Sequence, residues 1–165
     1  MSIHFRIAAM LLPLAAAALA EPRGGPENYN GQGYIFYGAA FAPEDFEAQN
    51  MFGAGAEALV YEGLGLGGEL GYTFPQYGFE YGFGLASANA SYHFVDRAGS
   101  QRFAPFLTGG YSVAFRDGAL NLINYGAGAN VWFSDRAGLR FEVRNYQHPR
   151  WGQFQLALRL GLTFR

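Results

Sequence analysis

The stretch F-Q-L-A-L-R-L-G-L-T-F, residues 154–164, alternates strictly between two kinds of side chain. One face carries large apolar groups: Phe154, Leu156, Leu158, Leu160, Leu162 and Phe164. The other face carries small or polar groups: Gln155, Ala157, Arg159, Gly161 and Thr163. A period of two is typical of a β-strand and not of a helix. A strand with these two faces suits the wall of a closed barrel, with hydrocarbon outside and polar side chains inside.

The same alternation recurs along the chain and predicts eight strands. The runs are approximately 33–41, 51–62, 65–74, 82–94, 104–115, 121–133, 139–146 and 153–164. Turn-forming residues separate the runs, and none of the runs has a helical period. The first run is apolar on both faces, and the second alternates only weakly. The predicted fold class is all-β: a single eight-stranded antiparallel up-and-down transmembrane β-barrel.

The N-terminus has the pattern of a processing segment. His4 and Arg6 precede an apolar stretch that ends in Ala-Leu-Ala at residue 20, which predicts a cleaved signal peptide over 1–20. The apolar stretch is shorter than the roughly 20 residues that a membrane-spanning helix needs. We expect a flexible, Pro- and Gly-rich periplasmic lead at 21–32 and an outer-membrane barrel at 33–165.

Composition excludes several classes of function. The chain has no cysteine, which rules out a thiol nucleophile and a disulfide framework. Eleven arginines and no lysine stand against thirteen Asp and Glu, so there is no basic footprint for nucleic acid. Charged residues make up 15% of the chain, against about 25% in a typical soluble domain. The sequence therefore has few charges with which to cover a water-exposed surface.

The charges on the polar faces predict what fills the barrel. They are balanced, three acids against three bases: Glu57, Glu69, Glu142, Arg140, Arg144 and Arg159. An unpaired buried charge costs several kcal/mol, so charges inside a barrel should form a neutral, hydrogen-bonded set. Eight strands leave room only for side chains. We therefore expect these residues to form an ion-pair cluster that plugs the lumen.

A secreted, soluble barrel of the lipocalin kind is the alternative architecture. It would turn the lipophilic faces inward around a ligand and leave the polar faces in water. The polar faces are dominated by Gly, Ser, Asn and Thr, which suit a narrow interior better than a solvated exterior. The balanced charges also favour an interior position, because a solvated face needs no such balance.

Aromatic residues lie where the two membrane interfaces would fall. We expect a girdle formed on the periplasmic side by Tyr92, Phe94, Phe133 and Phe164, and on the outer side by Phe74, Phe115 and Phe154. A strand of about eleven residues, rising roughly 3.4 Å per residue and tilted about 40°, spans roughly 28 Å. That length is enough to cross the apolar band of an outer membrane.

Together, the signal peptide, the eight amphipathic runs, the Arg/Glu set and the final L-R-L-G-L-T-F resemble the OmpA/OmpX-type eight-stranded outer-membrane β-barrels. The stretch 124–144, N-Y-G-A-G-A-N-V-W-F-S-D-R-A-G-L-R-F-E-V-R, is especially similar to their penultimate hairpin. The resemblance implies a monomer in the cell outer membrane that contacts lipid and lipopolysaccharide. It also implies recognition by the barrel-assembly machinery through Leu160, Leu162 and Phe164. In the family the final aromatic is typically terminal, whereas here Arg165 follows it.

A lipid A-modifying enzyme of the PagL kind is the alternative function. Those barrels carry a histidine in a motif like H-x-S-N at the end of a late strand, where this chain has His148. The residue two positions later is Arg150, so the imidazole has no serine to activate. We expect His148 to be an ordinary loop residue and His93 to be a hydrogen-bonded histidine of the lumen. Glu44, Asp45 and Glu47 are expected to form a solvated acidic loop and not a calcium site.

The prediction is thus a non-enzymatic barrel with a structural or interaction role in the bacterial envelope. We expect no catalytic residue, cofactor, metal ion or nucleic-acid partner.

Overall fold

The computed structural model describes residues 31–42, 47–61, 63–94, 102–150 and 152–165. Eight antiparallel strands pair in sequence order, and β1 also pairs with β8, which closes the barrel. The strands are β1 Gly31–Phe41, β2 Ala48–Tyr61, β3 Leu64–Pro75, β4 Phe83–His93, β5 Phe103–Phe115, β6 Ala119–Trp132, β7 Ala137–His148 and β8 Gly152–Phe164. One short 3₁₀ turn, Phe79–Tyr81, lies between β3 and β4. The predicted eight-stranded up-and-down barrel is confirmed.

Each predicted run corresponds to one strand, with ends that differ by a few residues. β1 begins at Gly31, so the predicted boundary between lead and barrel falls two residues too late. Gln32 belongs to this strand, and its side chain is buried. The predicted signal peptide and the lead up to residue 30 lie outside the described residues. In the described part of the chain, no helix is long and apolar enough to cross a membrane.

The two ends of the barrel differ in their connections. We call the end where β1 begins and β8 ends the near end, and the opposite end the far end. The near end carries the connections 62–63, 94–102 and 133–136, and the far end carries 42–47, 76–82, 116–118 and 149–151. The longest connection, 94–102, is at the near end, so the far end carries no large loop.

Side chains alternate between the outside and the inside of the barrel, as the period of two requires. Exposed apolar side chains cover the outer wall, among them Ile35, Leu66, Leu70, Leu107, Tyr111, Ile123, Phe141, Leu158 and Leu160. Buried side chains inside include charged, amide and hydroxyl groups. β1, which the sequence left ambiguous, places Tyr34 and Phe36 inside and Ile35 outside. The orientation is the reverse of a lipocalin-like barrel.

β8 departs from simple alternation near its far end. Tyr146 of β7 pairs with Gln155 and Gln147 pairs with Gln153, so Phe154 is the extra residue of a bulge. A bulge interrupts the alternation of faces because two residues oppose one partner. Phe154 packs against Phe83, with ring centroids 5.9 Å apart, and against the apolar residues buried inside. Its predicted place on the outward-facing girdle is therefore wrong.

Candidate functional site

The six charged side chains that the sequence predicts for the lumen lie together inside the barrel. They come from four strands: Glu57 on β2, Glu69 on β3, Arg140, Glu142 and Arg144 on β7, and Arg159 on β8. Each is between 1% and 5% exposed. The three on β7 alternate with the outward residues Phe141 and Val143, which is why an i, i+2, i+4 spacing brings them to one face. We call these six residues the ionic cluster.

Four members of the ionic cluster form a closed set of ion pairs. Arg159 Nη2 lies 2.6 Å from Glu69 Oε2, and its Nη1 lies 3.4 Å from Glu142 Oε1. Arg144 Nη2 lies 2.5 Å from Glu142 Oε1, and its Nη1 lies 3.3 Å from Glu69 Oε2. Each arginine thus bridges both carboxylates. Since β3 and β7 are four strands apart in a barrel of eight, the Arg144–Glu69 pair connects opposite walls.

Arg140 joins this set to the near end of the interior. Its Nε donates to Glu142 Oε2 at 3.2 Å, and its Nη1 lies 3.9 Å from Glu57 Oε1. The guanidinium carbon lies over the rings of Tyr34 and Phe106, at 4.3 Å and 3.9 Å from their centroids. A guanidinium over an aromatic face is attracted by the ring quadrupole, more strongly where water is excluded. The interior rings therefore stabilise the buried charge as well as filling space.

Glycines on β2, directly paired with Tyr34 and Phe36 of the neighbouring β1, make room for these interior rings. A Cβ at Gly55 would come within 2.5 Å of the Tyr34 ring, and one at Gly53 within 2.5 Å of the Phe36 ring. Phe36 in turn lies under Arg159, whose guanidinium carbon is 3.5 Å from the ring centroid. The glycines of the polar faces predicted a narrow interior. Two of them, Gly53 and Gly55, leave the space that is occupied by the rings that contact the arginines.

Glu57 is the most densely hydrogen-bonded acid at the near end. His93 Nε2 lies 2.7 Å from its Oε1, and Ser91 Oγ donates to its Oε2 at 2.5 Å. Gln32 Nε2 donates to the same carboxylate, and Asn130 Nδ2 donates to Gln32 Oε1 at 3.2 Å. His93 is a buried lumen residue, as the sequence predicts. Gln32 was missed because the sequence placed it in the flexible lead.

The far part of the interior holds a cluster of apolar side chains beside the buried polar side chains of Thr73 and Gln155. We call this cluster the apolar cap; the buried members are Ala40, Met51, Leu85, Ala114, Leu122, Tyr146 and Ala157, and the half-buried ones are Phe83, Leu120 and Phe154. The alternation pattern of the sequence does not predict this cap. A signal was present, because Met51 and Leu122 are large apolar residues on the faces that otherwise carry the Gly, Asn and Glu residues of β2 and β6.

The other predicted residues lie on the outside of the barrel. Tyr92, Phe94, Phe133 and Phe164 are exposed at the near end, and Phe115 is exposed at the far end. Phe74 is half-buried beneath other aromatic rings at the far end. Leu160 and Leu162 point outward along β8 and are exposed. Contact of these side chains with lipid, and recognition of β8 during assembly, stay predictions.

His148 ends β7 and lies in a tight connection. Its Nδ1 accepts a hydrogen bond from the backbone N–H of Arg150 at 3.2 Å. Of the predicted acidic loop, Glu47 is described and exposed, whereas Glu44 and Asp45 fall outside the described residues. Among the residues that the structure describes, no group of three or more His, Asp or Glu side chains is placed to hold a metal ion.

Comparison with solved structures finds the same architecture in other barrels. The N-terminal β-barrel domain of OprF from Pseudomonas aeruginosa superposes with a TM-score of 0.64 at 17% identity, covering 82% of this chain and 96% of that one. A de novo designed transmembrane β-barrel gives 0.57 at 12% identity, with 87% and 98% covered. Neisserial surface protein A (NspA) gives 0.56 at 13% identity, with 81% and 94% covered. No protein-family model and no curated protein matches the sequence. At these identities the likeness shows the fold alone, which is that of the small membrane β-barrels.

Proposed function

We propose that this chain is a non-enzymatic barrel of the bacterial outer membrane, with its lumen closed by the ionic cluster and a structural or interaction role in the envelope. The observation that carries the proposal is the bridging of Glu69 and Glu142 by both Arg144 and Arg159, at distances of 2.5–3.4 Å. The two pairs to Glu69 cross the interior from β7 and β8 to β3, so they occupy the cross-section that a water-filled channel would need.

The outer wall supports insertion in a membrane. The outward positions of the eight described strands carry no Asp, Glu, Arg or Lys. The strands are 11 to 14 residues long, against the roughly 9–11 tilted residues that cross a bilayer. A barrel closes its own hydrogen bonds and therefore needs no water along its wall. The fold that this chain shares with a designed transmembrane β-barrel also supports insertion in a membrane.

The resemblance to OmpA/OmpX-type barrels extends the proposal to location and partners. We place the chain in the outer membrane as a monomer, in contact with lipid and lipopolysaccharide. The near end would face the periplasm, because the predicted signal peptide and lead precede β1. Leu160, Leu162 and Phe164, which point outward on the last strand, would be presented to the barrel-assembly machinery before β8 pairs with β1.

Insertion and closure can be tested on the same preparation. The chain is expressed with its signal peptide, and the membranes are washed with carbonate and run on a gel with and without boiling. We expect a carbonate-resistant band whose mobility shifts on heating. Purified protein in a planar bilayer should then give a conductance near that of the bare lipid. Recovery in the soluble fraction would contradict insertion, and steady channel currents would contradict closure.

The non-enzymatic part has its own test. Mass spectrometry of lipid A from cells with and without the protein should give the same acylation pattern. A changed pattern that disappears in His148→Ala would overturn this part of the proposal. Arg150→Ala, in the same connection, is the control, since its side chain is exposed and it carries no imidazole.

A further inference from the structure

The connection between β3 and β4, residues 76–82, folds down over the outside of the barrel. The Phe79 ring lies 4.6 Å from Tyr72 and 5.1 Å from Phe74, measured between centroids. It also stacks on Phe52 at 6.2 Å with only 14° between the ring planes. Phe52, Tyr72 and Phe74 are outward residues of β2 and β3. The Phe79 ring of the connection therefore extends the aromatic surface of the outer wall.

Hydrogen bonds hold this connection in place from two sides. The Tyr72 hydroxyl on the wall donates to the Phe79 carbonyl at 2.9 Å. Arg116, from the neighbouring connection between β5 and β6, donates to the carbonyls of Tyr81 at 2.8 Å and Glu80 at 3.3 Å. The orientation of the loop is thus fixed by contacts to two different parts of the barrel, so its exposed side chains have a defined direction.

Three large aromatic side chains of this connection are left exposed. Tyr77 is 72% exposed, Phe79 55% and Tyr81 52%, and the rings of Tyr77 and Tyr81 lie 5.6 Å apart. Exposed apolar groups that adjoin one another on a fixed loop mark an interaction surface more often than isolated ones do. Here the surface is continuous with the apolar outer wall through Phe79.

The wall at this height has the character of a membrane–water interface. Phe74 pairs with Asn50 in the sheet, and the Asn50 side chain accepts a hydrogen bond from the Tyr37 hydroxyl at 2.5 Å. An outward polar pair therefore lies at the level where the Phe79 ring packs against Phe74. Tyrosine concentrates at this depth in membrane proteins because its ring is apolar and its hydroxyl is polar.

We infer that Tyr77, Phe79 and Tyr81 form a lipid anchor that enters the headgroup region of the leaflet at the far end. The occupant is lipid and not a second protein, because the patch continues the wall that lipid covers and lies at the level of an outward polar pair on that wall. Interfacial aromatic anchors set the rotation and tilt of a membrane protein. This one lies on a single side of the barrel, over β2 and β3, and so would fix the barrel's tilt toward that side. The inference rests on the proposed insertion of the barrel in a membrane.

The absence of cysteine makes a depth measurement direct. Single variants Tyr77→Cys and Tyr81→Cys are spin-labelled, reconstituted in phosphatidylcholine vesicles, and probed by collision with oxygen, which prefers lipid, and with a water-soluble nickel complex. Leu160→Cys on the wall and Asp117→Cys on the exposed β5–β6 connection give the lipid and water limits. We expect both loop labels to have an oxygen-to-nickel ratio several-fold above that of Asp117→Cys and below that of Leu160→Cys.

The controls separate failure of the anchor from failure of insertion. If Leu160→Cys reports lipid while the loop labels match Asp117→Cys, the barrel is inserted and the anchor is wrong. If Leu160→Cys itself reports water, the proposed insertion is wrong and the anchor fails with it. Spin–spin broadening at the loop labels and not at Leu160→Cys would show contact between copies, and would overturn lipid as the occupant.

A second variant tests whether Arg116 fixes the loop. Arg116→Ala removes both hydrogen bonds to the carbonyls of Glu80 and Tyr81, so the ratio at the Tyr81→Cys label should fall toward the water limit. Arg150→Ala, in another far-end connection, should leave it unchanged. An unchanged ratio in Arg116→Ala would show that the Phe79 ring contacts and the Tyr72 hydrogen bond hold the loop without Arg116, and would overturn the bracing role of Arg116.

Discussion

The near and far parts of the barrel interior are lined by the same strands but filled by different chemistry. The near and middle parts hold the ionic cluster, and the far part holds the apolar cap. An ion pair is satisfied only when a specific donor meets a specific acceptor, whereas apolar groups tolerate many partners. A one-residue slip of β7 would turn its three charged side chains to the outer wall. The ionic cluster thus constrains strand register, and the apolar cap contributes burial without that constraint.

The largest expected effect comes from breaking the ionic cluster. Arg144→Ala leaves Glu69 and Glu142 each without one of its arginine partners in a site that excludes water. Removing one partner of a buried pair costs about 3–5 kcal/mol, so the free energy of unfolding should fall by that amount. Urea titration in detergent, followed by the heat-sensitive gel shift, measures it. Arg150→Ala at the exposed far end is the control and should change stability little. Equal effects of the two variants would contradict the cluster's role.

The apolar cap should be the next most sensitive region. Leu122 is fully buried among Met51, Leu85 and Tyr146, and Leu122→Ala removes methyl groups that the surrounding strands cannot replace. Such a change costs about 2–5 kcal/mol, including the cavity that it leaves. Leu107→Ala on the outer wall is the matched control, because lipid or detergent can fill the space that it opens. If the outer-wall variant is as destabilising as the interior one, the cap is not a packed core.

Gly53 lies on β2 between Met51 of the apolar cap and Glu57 of the ionic cluster, and it provides a third comparison of the two parts of the interior. A Cβ there would lie 2.4 Å from the Leu70 carbonyl oxygen and 2.5 Å from the Phe36 ring, which supports Arg159. Gly53→Ala should therefore displace Phe36 and cost about 1–3 kcal/mol as an overpacking substitution. Gly109→Ala is the matched control, since its Cβ would approach no atom closer than 3.7 Å. Equal stability of both variants would show that the ring has room to move.

The sequence predicted the ionic cluster better than the apolar cap, for a physical reason. The charged residues lie on the strand faces opposite the lipophilic ones, and in a membrane barrel they can be satisfied only inside. The period of two and the polarity of the side chains together therefore identified all six residues. Met51 and Leu122 are not required to face the interior, because an apolar side chain can lie on either face of a membrane barrel. Gln32 was missed for a different reason: a glycine-rich segment gives no alternation from which to read the start of a strand.

Phe154 is where the pattern itself was misleading, and it gives the smallest but most specific test. In the sequence it continues the lipophilic face of β8, yet the bulge brings it against Phe83 and the apolar cap. Full burial of a phenylalanine is worth about 1.5–3 kcal/mol, so Phe154→Ala, at a half-buried site, should cost about 1–2 kcal/mol.

Phe115→Ala, which changes an outward phenylalanine at the same end, is the control. Phe154 contacts protein, so the loss of stability in Phe154→Ala should not vary between detergents of different chain length. Phe115 is placed to contact lipid, so the loss of stability in Phe115→Ala should vary between them. If the loss of stability in Phe154→Ala depended on the detergent, Phe154 would belong to the outward-facing girdle. The alternation of faces in β8 would then continue through the bulge.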